Sequence, residues 1–144
     1  MKSLPHNYPV RARGAAGGAV TLSAEGVPEL LSSAPVQFGG PGDAWSPESL
    51  LVAAAASCFV LTFRAVARAA RLEWAQLECT VDGVLDREGG VMRFTRLHTH
   101  ARLRVSAESS QALCQQVLEK AEHGCLVANS LLAARELTTE IVQS

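Results

Sequence analysis

The segment from Ser46 to Arg71 constrains the fold more than any other stretch, because it is long and strongly apolar. It opens with a favourable helix start. Ser46 is a good N-cap, Pro47 suits the first helical position, where its missing N–H costs nothing, and Glu48 places a negative charge at the positive end of the helix dipole. The segment is therefore predicted to form one long helix.

The first four turns of this helix are predicted to be buried on every side. Between Leu50 and Phe63 the only polar side chains are Ser57 and Thr62, whereas arginines at helical spacing mark one exposed stripe in the last two turns. The apolar run is shorter than the roughly 20 residues of a membrane span, so it indicates a core helix. One sheet and one amphipathic helix cannot cover all its sides, so a second copy of the chain is expected to do so in a homodimer.

Length and charge narrow the class of protein. The chain has 144 residues, 48% of them hydrophobic, which favours a single domain over residues 1–144. Thirteen basic and 14 acidic residues give a net charge of -1 without a Lys/Arg cluster, so neither a nucleic acid nor an anionic membrane is expected as a partner. The first residues lack the apolar core of a signal peptide, and a cytoplasmic location is expected.

The other segments predict an α+β fold with largely antiparallel sheets packed against the central helix. A Gly-rich loop separates the first two strands as in a hairpin. In the segment after this hairpin, Pro28 and Pro35 permit at most an irregular edge strand. The apolar parity of the 92–105 strand changes between Phe94 and Leu97, which predicts a bulge near Thr95 or Arg96. The predicted elements are strands at 7–13, 18–24 and 34–38, the helix at 46–71, strands at 77–85 and 92–105, helices at 107–122 and from 125, and a strand at 137–142.

Four cysteines, at positions 58, 79, 114 and 125, lack the close pair spacing of a zinc site. From residue types alone, each is expected to pack as a small hydrophobic side chain. The apolar surroundings of Cys58 would raise the pKa of its thiol, whereas the predicted helix start at Cys125 would favour a thiolate there. Cys79 and Cys114 lie on predicted apolar faces and are interpreted as packing residues.

Two segments resemble the signature regions of the OsmC/Ohr family, the osmotically inducible and organic hydroperoxide resistance proteins. The first, SPESLLVAAAASCF, places a Pro-Glu pair before an Ala-rich helix and a cysteine ten residues after the Glu. The second, EHGCLVANSLL, opens a short helix with a cysteine, and an RLHTHARL segment lies between the two. The resemblance implies a cysteine-based peroxidase built as an intertwined α+β homodimer, with active sites at the subunit boundary.

The resemblance also implies roles for individual residues. Cys58 matches the peroxidatic cysteine, Cys125 the resolving cysteine, and Glu48 the acidic residue that holds a catalytic arginine. That arginine lies in the first hairpin of relatives. Arg13 is favoured because it is nearer the loop, with Arg11 as the alternative. Ten helical residues separate Glu48 from Cys58 by about 15 Å, so Glu48 can act only through a long arginine side chain or across a dimer interface.

The implied reaction needs two thiols and neither a cofactor nor a metal. A Cys58 thiolate attacks an organic hydroperoxide, Cys125 condenses with the resulting sulfenic acid, and an external dithiol of the lipoamide or thioredoxin type reduces the disulfide. A redox-responsive or ligand-binding dimer with little turnover is the alternative on the same scaffold. A purely structural dimer with four inert cysteines is the alternative from another class.

Other polar residues carry weaker hypotheses. His98 and His100 have metal-ligand spacing on one strand face, but the arginines beside them favour a solvated polar face. Glu122 and His123 adjoin Cys125, where they could assist thiolate formation or cap a helix end. Relatives often have proline where this chain has Leu126, a difference that affects a helix start and no chemistry.

Overall fold

The computed structural model describes every residue from Met1 to Ser144, and these form two compact units, residues 1–50 and 51–144. A single domain over residues 1–144 therefore stays a prediction. The architecture is α+β, with two three-stranded sheets and one long helix.

The first unit contains a small antiparallel sheet in the order β1-β2-β3, formed by β1 (Arg11–Arg13), β2 (Val20–Ser23) and β3 (Leu30–Ser32). The predicted hairpin is confirmed, with Ala12 opposite Leu22 in the middle of its register. Both strands are shorter than predicted.

The strand predicted at 34–38 is wrong. Its last three residues, Val36–Phe38, form a single 3-10 turn between Pro35 and Gly39. Pro35 has the extended backbone that precedes a helical turn, and Gly39 ends the turn with a φ of 84°, which glycine adopts without strain. The third strand instead uses the preceding Leu30–Ser32 segment.

The long helix, α1, spans Pro47–Ala69. Its predicted start at Ser46 is confirmed. The Ser49 N–H donates to the Ser46 hydroxyl oxygen at 3.1 Å, and the Ser46 N–H donates to the Ser49 hydroxyl oxygen at 2.9 Å. This reciprocal pair satisfies two N–H groups at the helix start in the manner of a capping box, with Ser49 in the place of the usual Glu.

Burial of α1 within one chain is confined to a single stripe. Ala55, Phe59, Phe63 and Ala67, four residues apart, are buried, whereas Leu61 on another face is 56% exposed. One chain therefore leaves other sides of α1 uncovered, and their burial by a second copy stays a prediction. By length and composition α1 is apolar enough to cross a membrane, with a mean hydropathy of 2.0 over 18 residues. The prediction that its apolar run is too short for a membrane span is therefore wrong. Its aromatic stripe nevertheless packs into a protein core.

The second unit contains a mixed sheet in the order β4-β5-β6, formed by β4 (Gln76–Glu88), β5 (Val91–Val105) and β6 (Ala134–Gln143). The β4 and β5 strands are antiparallel, whereas β6 runs parallel to β5. The parallel pairing departs from a purely antiparallel sheet, and α2 (Gln111–Gly124) and α3 (Leu126–Asn129) form the crossover that it requires.

The start of α2 lies four residues after the predicted position. The Ser110 hydroxyl oxygen accepts a hydrogen bond from the Leu113 N–H at 3.2 Å and so caps the helix. The predicted short helix after Cys125 is confirmed as α3, for which Cys125 is the N-cap residue.

The predicted bulge in β5 is confirmed. Val84 pairs with Arg96 and Leu85 pairs with Phe94, which leaves Thr95 as the extra residue. After the bulge, alternate residues of β5 face the core. The buried side chains of that core include Phe59, Phe63, Leu103, Val105, Cys114, Val117 and Leu118.

One glycine sets the distance between β4 and α1. A Cβ atom on Gly83 would lie 2.6 Å from Cγ2 of Val52 and 3.0 Å from Cε1 of Phe94. Real side chains do not approach this closely, so only glycine lets the first turns of α1 pack at their present distance from the sheet. Cys58 lies on α1 less than two turns beyond Val52.

Candidate active site

The fold brings Cys58 and Cys125 together. Cys58 lies in the middle of α1, and Cys125 forms the corner between α2 and α3. The two thiols lie close enough to affect each other's pKa, and the Cys125 sulfur lies 3.8 Å from the carbonyl oxygen of Ala55, about one turn before Cys58 on α1. Both cysteines are free thiols in this structure. The two residues assigned to one redox pair by resemblance are thus neighbours in space.

A glycine allows the corner to approach α1. A Cβ atom on Gly124 would lie 3.2 Å from Cγ2 of Thr62, a tight contact. The Thr62 hydroxyl oxygen in turn lies 3.9 Å from the Cys58 sulfur. The end of α2 therefore sits directly against the helix turn that carries Cys58.

The environment of Cys58 favours its thiolate. Burial alone would raise the pKa of the Cys58 thiol, but hydrogen bonds from the Val127 N–H, the Cys125 side chain, the Thr62 hydroxyl and the Leu126 N–H outweigh it and lower the pKa. The two backbone donors come from the first turn of α3. Cys58 is therefore the better nucleophile of the pair.

The environment of Cys125 favours its neutral thiol. Burial raises the pKa of Cys125, the Ala128 N–H lowers it, and the hydrogen bond to Cys58 together with the negative charges of Cys58 and Glu122 raise it further. Residue types had suggested the opposite order, with an inert Cys58 and a thiolate at Cys125. That expectation is wrong because two N–H groups at the α3 start face the sulfur of Cys58.

The walls around the thiol pair are apolar. Cys58 is half-buried, and Cys125 is 1% exposed. The side chains packed together here are buried Ala55, Leu97, Cys125, Ala128 and Ala133, with partly buried Cys58, Val81, Phe94, Val127 and Leu131. Such a lining suits an alkyl or aryl group better than a small polar molecule.

Sequence reasoning missed a polar cluster beside this pair. Arg135 on β6 donates from Nε to Glu122 Oε1 at 2.8 Å and from Nη1 to Asn129 Oδ1 at 2.6 Å. Glu122, considered only as a helper or a helix cap, is thus an ion-pair partner. One signal for the cluster was present in the sequence: Arg135 shares its strand parity with Leu137 and Ile141, and so an arginine falls among inward-facing apolar residues.

The predicted acidic and basic residues of the site belong to the first unit, residues 1–50. Arg11 and Arg13 are exposed on β1, and no role for either follows from that placement. Glu48 is half-buried, and its Oε1 atom is buried without a hydrogen-bond partner. An unpaired buried carboxylate oxygen is unusual and calls for a donor.

The other two cysteines pack in the core of the second unit, as predicted. Burial, with the charges of Glu122 and Cys125, raises the pKa of Cys79 to about 11. Burial also raises the pKa of Cys114. Both are therefore expected to remain neutral thiols near pH 7.

The two strand histidines share a threonine. The Thr138 hydroxyl lies 2.6 Å from His100 Nδ1 and 3.2 Å from His98 Nε2. Glu136 pairs with Arg96 at 3.5 Å and lies 3.9 Å from His98 Nδ1. No group of three or more His, Cys, Asp or Glu side chains is placed to hold a metal ion.

Comparisons with known proteins agree with this architecture. The uncharacterized protein YmaD of Bacillus subtilis (strain 168) is 27% identical over 111 residues, which cover 75% of this chain and 74% of that protein. A solved OsmC-like protein of unknown function from Vibrio cholerae has a TM-score of 0.81 and 19% identity, with 96% of this chain and 100% of the other covered. A solved organic hydroperoxide resistance protein from Elizabethkingia anophelis has a TM-score of 0.78 and 22% identity, with 100% of both chains covered.

At these identities the two structural likenesses establish the fold. The family assignment comes from the sequence, because a family model described as OsmC-like protein matches residues 40–140. The matched range contains both thiols of the pair. The chain therefore belongs to the OsmC-like protein family.

Proposed function

We propose that this protein is a thiol peroxidase that reduces organic hydroperoxides to alcohols, with Cys58 as the attacking thiol and Cys125 as the resolving thiol. The observation that carries the proposal is the pair of free thiols in one apolar cluster, in which the pKa of Cys58 is lowered by its donors and that of Cys125 is raised, chiefly by burial. The family includes proteins named for organic hydroperoxide resistance, such as the relative from Elizabethkingia anophelis.

In the first step, the Cys58 thiolate attacks the terminal oxygen of the hydroperoxide. The O–O bond breaks, the OH group moves to sulfur as a sulfenic acid, and the alkoxide leaves. The Cys125 thiol lies close to the attacking sulfur, and its raised pKa keeps it protonated, so it can give its proton to the alkoxide. The alcohol departs, and Cys125 becomes the thiolate that the next step requires.

In the second step, the Cys125 thiolate attacks the sulfenic sulfur of Cys58. A disulfide forms, and the OH group leaves as water after taking up a proton. An external dithiol of the lipoamide or thioredoxin type then reduces the disulfide by thiol exchange and becomes oxidised itself. No metal or cofactor is required for this cycle.

Glu48 and an arginine of the first hairpin complete the proposed machinery. The unpartnered buried oxygen of Glu48 would accept a hydrogen bond from a guanidinium. Arg13 is the preferred donor and Arg11 the alternative. The guanidinium would stabilise the charge that develops on the departing oxygen.

The proposed assembly is a homodimer in the cytoplasm with an apolar peroxide as substrate. The uncovered face of α1, which exposes Leu61, supports a second copy of the chain as its cover. The apolar lining around the thiol pair supports an alkyl or aryl hydroperoxide over hydrogen peroxide. Neither a nucleic acid nor a membrane is proposed as a partner.

The deciding experiment treats reduced protein with cumene hydroperoxide and examines it by non-reducing peptide mass spectrometry. We expect a Cys58–Cys125 linkage in the wild type and none in Cys58→Ser, with Cys79→Ser as the matched control that still forms it. In a dithiol-coupled assay, Cys58→Ser should lose hydroperoxide consumption. Arg13→Gln should lose about a hundredfold in rate, and Arg11→Gln little, if Arg13 is the donor.

Two results would contradict peroxidase activity in different ways. A linkage that forms without catalytic consumption would favour the redox-responsive or ligand-binding alternative. Slow labelling of Cys58 with no linkage would favour a structural dimer with inert thiols.

A further inference from the structure

A single guanidinium joins three polar groups near the thiol pair. In addition to its bonds with the Glu122 carboxylate and the Asn129 amide, Arg135 donates from Nη2 to the backbone carbonyl of Glu122. Glu122 lies in the last turn of α2, and Asn129 is the last residue of α3. Arg135 therefore ties together the two ends of the segment 122–129, called the cysteine turn here because Cys125 lies within it.

The ion pair between Arg135 and Glu122 is more protected from water than any other ion pair of the structure. The Arg135 and Glu122 side chains are 23% and 14% exposed, whereas every other ion pair has at least one partner that is 50% exposed or more. Exposed ion pairs contribute little to stability because water screens them. A planar guanidinium that donates to several acceptors also fixes the positions of those acceptors relative to one another. Arg135 is thus suited to fix the position of the cysteine turn and not only to carry charge.

Internal hydrogen bonds also connect the two ends of the cysteine turn. The Asn129 side-chain amide donates to the His123 carbonyl at 3.1 Å, and the Asn129 N–H donates to the Cys125 carbonyl at 2.9 Å. The Leu126 and Val127 N–H groups lie between these bonds and lower the pKa of Cys58, which packs against the same apolar cluster as Val127. Their aim at that sulfur depends on where the turn is held.

We propose that Arg135 is a positioning residue for Cys58, which fixes the cysteine turn so that the Leu126 and Val127 N–H groups face the Cys58 sulfur. It acts through Glu122 and Asn129 and does not contact the thiol. The proposal rests on the proposed function only in taking Cys58 as the attacking thiol. Its consequence, the reactivity of the Cys58 thiolate, can be measured without any peroxide.

The test is the pH profile of Cys58 alkylation by iodoacetamide in the full chain, followed by peptide mass spectrometry. Arg135→Gln should slow alkylation near neutral pH by about tenfold, which corresponds to one pKa unit, and move the profile to higher pH. Arg135→Lys should do the same, because an ammonium group lacks the planar fork that reaches three acceptors. Arg96→Gln, which breaks the exposed pair with Glu136, is the matched control and should leave the profile unchanged.

A further variant separates anchoring from charge and also covers misfolding. Asn129→Ala keeps the Arg135 charge but removes one anchor, so it should slow Cys58 alkylation in the same direction by a smaller factor. If Arg135→Gln does not fold, as judged by circular dichroism, Asn129→Ala decides. A wild-type profile in Asn129→Ala and in Arg135→Gln, or full rescue by Arg135→Lys, would overturn the proposal.

The outcomes for this inference and for the proposed function are separable. Slower alkylation in the Arg135 variants, with no hydroperoxide consumption by the wild type, would support the positioning role and refute peroxidase activity. Hydroperoxide consumption by the wild type, with unchanged Cys58 alkylation in the Arg135 variants, would do the reverse.

Discussion

At Cys58, backbone N–H groups take much of the role that a cationic side chain has in many reactive cysteine sites. Two of the four donors that lower the pKa of this thiol are main-chain amides of α3. The groups that lower it include no arginine or lysine. Amide donors need no ionised group, so they act without adding charge to an apolar site. The reactivity of Cys58 therefore depends on the geometry of the cysteine turn, which Arg135 anchors.

The hydrogen bond from Cys125 should contribute measurably to the reactivity of Cys58. Because the Cys125 side chain is one of the donors that lower the pKa of Cys58, Cys125→Ala should raise that pKa toward its ordinary value of 9.0. Alkylation of Cys58, which follows its thiolate fraction, should then begin at higher pH than in the wild type. Stopped iodoacetamide labelling across a pH series measures this directly.

The control for that series is Cys79→Ala. The pKa of Cys79 is raised to about 11, so Cys79 is a neutral thiol near pH 7 and is not among the groups that act on Cys58. The pH profile of Cys58 should therefore match the wild type in this variant. An unchanged or lower onset in Cys125→Ala would show that the thiol–thiol bond does not favour the thiolate.

Sequence reasoning succeeded at the residue scale where a motif named the residue and failed where the role depends on direction in space. The cysteine pair was found from two family-like segments. The reversed order of the two thiol pKa values was not, because it depends on which sulfur the Leu126 and Val127 N–H groups face. Arg135 was missed because its partners, Glu122 and Asn129, lie on other elements.

At the scale of elements, local signals were reliable and pairing direction was not. The helix start at Ser46 and the bulge at Thr95 were predicted because a cap and a change of parity are written in a few adjacent residues. The parallel alignment of β6 depends on the α2–α3 crossover. The misplaced third strand followed from Pro35, which precedes a helical turn here, whereas the prediction placed it near the start of an edge strand.

The close contact between β4 and α1 predicts a specific loss of stability. In Gly83→Ala, the new methyl group would lie 2.6 Å from Val52 Cγ2, so the helix or the sheet must shift. Overpacking of this kind costs about 1–3 kcal/mol, and the reduced freedom of the unfolded chain offsets only about 0.4–1 kcal/mol of it. Urea unfolding should show a lower midpoint for Gly83→Ala.

A second glycine provides the comparison. Gly17→Ala meets no atom within 4 Å and needs no left-handed backbone, so its unfolding midpoint should equal or slightly exceed that of the wild type. Equal midpoints for Gly83→Ala and the wild type would mean that Val52 and Phe94 yield at no cost. Since Cys58 lies on the same helix, Gly83→Ala should also slow Cys58 alkylation.

At the scale of the whole molecule, the sequence predicted the α+β class, the family and a central helix α1 that is apolar on more sides than one chain can cover. Its hydrophobic pattern predicted that one chain cannot cover every side and that a second copy covers the rest. In the single chain, α1 buries one stripe from Ala55 to Ala67 and leaves Leu61 56% exposed. An apolar helix face of this kind in a small protein indicates an interaction surface.

The homodimer proposal can be tested on that face. If a second copy covers it, Leu61→Glu places a charge in an apolar interface, where it finds no partner and no water, and the dimer should dissociate at micromolar protein concentration. Light scattering after size-exclusion chromatography measures the mass, for which one chain is 15.2 kDa. Val91→Glu, at an exposed position before β5 enters the core, is the control and should leave the mass unchanged. A wild-type protein that elutes as a monomer would end the dimer proposal, and the exposed face of α1 would then have no known cover.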